Sequence, residues 1–173
     1  MSTKEALRQE IEETKVRFHQ LLDFVPDEAF DYPSDNPAWT VGEVLYHMSV
    51  APRNMGKDVK MILGQSWLYR LFPRIMPKAL FNWGNKHFTR YGARHLSREF
   101  LAQKYDEAHV LTFQALDSVD EADLAKRIEY PDWDPMLSGD VTLERLFHYI
   151  KAHFDSHEAQ IRQIVVAVNV ANE

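Results

Sequence analysis

Four stretches of this chain repeat apolar residues at three- and four-residue steps, the interval at which side chains return to one face of an α-helix. The first runs from Thr3 to about Phe24 and carries Leu7, Ile11, Phe18, Leu21 and Leu22, with Val25 just beyond. The second opens at Thr40, where Thr40 and Glu43 have the spacing of a reciprocal capping box, and runs to about Leu63 with Gly64 at its end. The third begins near Ser97 and continues through Phe100, Leu101, Tyr105, Ala108, Leu111, Leu116 and Val119. The fourth follows Thr142 and carries Leu143, Leu146, Ile150, Phe154, Ile161, Ile164 and Val168. Prolines at 26, 33 and 37 break the chain after the first helix, and the run YPDWDPMLSGD at 130–140 reads as a loop. No strand-like alternation bounded by turn residues stands out, so the fold class predicted is all-α, with four long helices in a bundle. A length of 173 residues asks for one core, and residues 1–173 are taken as a single domain.

The chain has no cysteine, which excludes disulfides, thiolate nucleophiles and thiolate metal sites. Any metal has to sit on His, Asp or Glu. The first residues, MSTKEALRQEIEETK, lack the apolar core of a secretion signal, and no apolar run approaches the ~18 residues of a membrane span, so a cytoplasmic location is expected. A net charge of −6 argues against nucleic acid or an anionic membrane as the main partner. That charge is unevenly spread: residues 66–96 contain no Asp or Glu but hold Arg70, Arg74, Lys78, Lys86, Arg90 and Arg94 among Trp67, Tyr69, Phe72, Phe81, Trp83, Phe88 and Tyr91. The stretch is expected to be an additional helical connection between helices 2 and 3, packed across the bundle. A surface for an anionic substrate is the alternative.

His153 and His157 are four apart on the fourth helix, which sets both rings on one face at a metal-ligand spacing. The same pair also fits two histidines at the edge of a core. Ile150, Phe154, Ile161 and Ile164 crowd that side of the helix, and buried neutral imidazoles need partners for their nitrogens. His47 lies among Val44, Leu45 and Met48 on the second helix, so three imidazoles from two facing helices are available, the count of an open catalytic site. The other histidines have no spaced partner, and His148, five residues before His153, faces elsewhere on the helix.

Two motifs carry a resemblance to a known family. NPAWTVGEVLYHM (residues 36–48) and HFDSHEAQI (residues 153–161) resemble the Trp-Thr-Glu-His pattern and the paired histidines of the DinB/YfiT-like metal-dependent enzymes. The resemblance implies an up-down-down-up bundle, one divalent ion on His47, His153 and His157 with zinc or nickel favoured, and a homodimer acting on a small molecule. It further implies a thiol-dependent S-transferase using a low-molecular-weight thiol. A metal-dependent hydrolase and a non-catalytic metal- or ligand-binding bundle are the alternatives, since an ion on three imidazoles can equally activate water. Three nearby residues are candidates for catalytic roles. Glu43 can act as a base or serve only as the capping partner; Gln160 can orient a ligand or be solvated; Tyr149 can line the mouth of the site.

Overall fold

The computed structural model describes residues 2–34, 39–64, 76–134 and 136–171. Among these residues the chain is mostly helical: α1 is Thr3–Phe24, α2 Val41–Gly64, α3 Lys78–Gly92, α4 Arg98–Asp117 and α5 Leu143–Ala171. Side chains at the helix starts satisfy backbone donors that have no partner within the helix. Ser2 Oγ accepts from the Glu5 amide at 3.2 Å, Ser97 Oγ from Phe100 at 3.1 Å and Thr142 Oγ1 from Arg145 at 3.1 Å. The expected capping box closes in both directions, with Thr40 N donating to Glu43 Oε2 at 2.9 Å and Glu43 N to Thr40 Oγ1 at 3.3 Å.

The main helix contacts run from α2 to α4 and α5, and from α1 to α4 and α5. Their apolar faces form two core clusters. One gathers Leu7 and Ile11 of α1, Val59 and Ile62 of α2, Leu116 of α4, and Leu143 and Leu146 of α5. The other gathers Phe18 and Leu21, Val44 and Leu45, Leu101 and Tyr105, and Phe154 and Ile161 from the same helices. The chain therefore passes from the first cluster to the second along α1 and α5, and back along α2 and α4. Each fully buried Leu or Phe in these clusters contributes roughly 1.5–3 kcal/mol.

The expectation of a plain loop over residues 130–140 is corrected between α4 and α5. Residues read as a loop form an antiparallel hairpin, β1 (Arg127–Asp134) and β2 (Leu137–Thr142). Ile128 pairs with Val141 and Tyr130 with Gly139, and Leu137 and Val141 are buried in the first core cluster. Pairing lapses between Tyr130 and Asp134, where Pro131 has no amide hydrogen to give. Gly139 has φ +75°, a conformation that disfavours side chains. Proline and glycine are the residues that hid the strands from a reading of the sequence.

The connection between α2 and α4 is helical over α3. Its beginning is held by the hairpin: Phe81 stacks on Trp133 at 4.5 Å, and Trp133 Nε1 donates to Met76 O at 3.2 Å. Its end meets α2 so closely that a Cβ at Gly92 would lie 2.0 Å from Tyr46 Oη. Trp83, Phe88 and Tyr91 are exposed on it. The preceding part of the basic aromatic stretch, including Trp67, Tyr69, Arg70, Phe72 and Arg74, lies outside the described residues. Among the described residues no helix is long and apolar enough to cross a membrane.

Candidate metal centre

The capping box fixes the start of α2, and His47 follows Glu43 by one turn. Val44, Leu45 and Met48 bury beside it in the second core cluster, which seats that part of α2 against Phe154 and Ile161 of α5. On α5 the four-residue spacing sets His153 and His157 edge to face with ring centroids 4.6 Å apart, and His47 faces both at 5.0 and 5.3 Å. One ligand atom from each histidine lies within 4.8 Å of the others.

The electrostatics of the three rings are those of neutral imidazoles. Burial, reinforced by the neighbouring His157, pushes His47 down to about 3. Burial and the other two histidines hold His153 well below its ordinary value. Burial also lowers His157, opposed by a hydrogen bond to Gln160 and the charge of Asp134. His47 Nε2 and His153 Nε2 face one another at 3.0 Å, and only one of them can carry a proton across that gap.

These donors fit a divalent ion. Nitrogens ~2.1 Å from a tetrahedral ion stand ~3.4 Å apart, close to the spacing of the facing pair. His157 Nδ1 lies 3.0 Å from Gln160 Oε1, so the ring donates to the amide oxygen and keeps its Nε2 lone pair free. Three neutral imidazoles suit zinc, nickel, copper or iron(II) alike.

The remaining candidates fall in different places. Glu43 is engaged in the capping box, with Arg90 Nε 3.6 Å from its other oxygen. Tyr149 does border the triad, its ring 5.5 Å from that of His153, and its hydroxyl donates to Asp134 Oδ2. Burial, and then that bond, raise its pKa, so the phenol stays protonated. The other histidines lie elsewhere: His19 meets Asp106 at 2.9 Å, His148 meets Glu10 at 2.8 Å, His87 packs on Trp83 and His109 is buried beside Thr14.

Three further residues had no assigned part in the sequence reading. Trp39 packs its ring 4.9 Å from His47, and its buried indole N–H has no partner among the described residues. Asp134 reaches the site from the end of β1, a strand the sequence pattern concealed. Asp58, further along α2, accepts from Tyr130 Oη at 2.7 Å, and burial raises its pKa to about 6. Trp39 could have been found from its place in the first motif; Asp134 and Asp58 depend on contacts across the fold.

The fold and site define a class, a mostly helical protein that presents three inward histidines from two packed helices. The family model for the DinB superfamily matches residues 10–161, a span that includes all three, and the chain belongs to that superfamily. No curated protein matches the sequence significantly.

Proposed function

We propose that this chain is a metal-dependent enzyme that holds one divalent ion on His47, His153 and His157 and acts on a small molecule by thiol-dependent S-transfer. The observation that carries the reading is the convergence of three neutral imidazoles with ligand atoms within 4.8 Å, on a member of the DinB superfamily. His47, His153 and His157 would hold the ion by three ligands, and it would supply Lewis acidity that favours a thiolate or a hydroxide at neutral pH. The protein's own part is to aim the rings: Gln160 orients His157, Trp39 and Tyr149 wall the rings of His47 and His153, and Asp134 fixes the Tyr149 hydroxyl. Glu43 is the weaker candidate for a base, because the cap and Arg90 already occupy its carboxylate. Zinc and nickel are the ions we favour.

We read the helices as an up-down-down-up four-helix bundle, supported by the direction in which each passes between the two core clusters. The reading extends to a cytoplasmic homodimer, checked by light scattering on the purified protein. Elemental analysis tests the site: the wild type is expected to carry about one ion per chain and His153→Ala to lose it. A mutant that retains its ion would sink the assignment. Turnover of a chromogenic electrophile only with added thiol favours transfer, whereas thiol-independent ester cleavage favours the hydrolase alternative.

A further inference from the structure

The carboxylate of Asp134 is held by two donors beside the triad. Its Oδ1 accepts the Met136 amide at 2.7 Å across the hairpin turn, and its Oδ2 accepts the Tyr149 hydroxyl. Tyr149 in turn lies against His153, and the charge of Asp134 acts on His157. The strand that carries Asp134 is pinned on both sides. Tyr130 bonds to Asp58 of α2, and Trp133 stacks on Phe81 of α3. A carboxylate has about four acceptor positions, and two donors leave it room for more. Asp134 is only partly buried.

Neither neighbour neutralises it. The Tyr149 hydroxyl and the Met136 amide donate to it without bringing a cation. The site thus pairs a place for a cation, which would bind an anionic atom of the substrate, with a carboxylate linked to it through Tyr149.

We propose that Asp134 is the specificity-determining residue of this site and selects a thiol that carries an ammonium or other cationic N–H group close to its sulfur. The sulfur side of this inference rests on the thiol-transfer reading above; the Asp134 side rests on the hairpin geometry. A carboxylate-bearing thiol would meet like charge at Asp134, and a neutral hydroxyl thiol would forfeit the charge-assisted bond.

The test uses the full chain loaded with Co²⁺, whose thiolate absorption reports sulfur on the ion. Cysteamine, 2-mercaptoethanol and 3-mercaptopropionate are titrated in turn, at low and at high salt. Cysteamine is expected to bind the wild type at least ~10-fold more tightly than 3-mercaptopropionate, the worth of one charge-assisted bond, with the preference shrinking in salt. Asp134→Asn is expected to keep its helical content and its ion and to lose most of the preference. Charge reversal in Asp134→Lys should turn the preference toward 3-mercaptopropionate. Equal binding of the two charged thiols by the wild type, or a preference unchanged in Asp134→Asn, overturns the role of Asp134. Absence of a thiolate band with all three thiols on a fully loaded protein overturns the thiol reading itself.

Discussion

Asp58 and His47 are both perturbed by burial, yet they impose opposite pH dependences on stability. Asp58 binds its proton more tightly folded, with a pKa raised to about 6, than in the unfolded chain near 3.8. Its contribution is therefore full below pH 4 and is lost as pH rises through 6. Asp58→Asn removes that loss, and the variant should gain about 1 kcal/mol above pH 6, the full shift being trimmed by the partial exposure of the side chain. Urea midpoints at pH 4.5 and 7.5 check it; a gain of equal size at both would contradict this origin. The triad works the other way. His47 is pushed down to about 3 when folded and titrates near 6.5 when unfolded, so its contribution is present above pH 6.5 and is lost as pH falls toward 3. The metal-free protein is expected to lose stability steadily across that window, and replacing His47 with Gln should flatten the loss.

The elements differ in how far local chemistry determines them. The starts at Thr40, Ser97 and Thr142 were legible because a cap involves residues only three apart, and the structure forms those bonds where the residue types require. His153 and His157 were legible for the same reason, four residues on one helix. The hairpin was not. Its strands are set by Ile128 facing Val141 and by burial of Leu137 against helices far away in sequence, while Pro131 and Gly139 give it the local signature of a loop. Asp134 disappeared with it, since nothing near Asp134 in sequence points to Tyr149. Trp39 was in view within its motif, but the burial of its indole N–H appears only once the core closes around it. The hairpin's attachment to α2 is testable at Tyr130. Tyr130→Phe removes the hydrogen bond to Asp58 and leaves a buried carboxylate short of a donor, a change worth about 1–3 kcal/mol. Hydrogen exchange should show β1 and β2 amides losing protection while those of α1 keep theirs. Uniform loss throughout the chain would mean that the hairpin and helices open as one unit.

For the whole molecule, the triad is a tie between distant parts of the chain. His47 and His153 stand 106 residues apart in sequence and 3.0 Å apart at Nε2, and they join α2 to α5, helices that also meet in the second core cluster. Around them lie Val44, Leu45, Phe154 and Ile161, so the helices meet through apolar burial before any ion is considered. An ion on the triad would act on a preassembled site, and its binding energy would appear as added stability because the unfolded chain offers only scattered histidines. At a free ion concentration ~1,000 times the dissociation constant, that addition is about 4 kcal/mol. For a chain of this length it corresponds to a rise of about 8–16 °C in melting temperature. Chelation should reverse the rise in the wild type. His153→Ala, whose helices keep their apolar contacts, should melt at one temperature with and without chelator. A wild type whose melting temperature ignores both added ion and chelator would show that these imidazoles are packed together without holding a metal, and would return the triad to a role in the core alone.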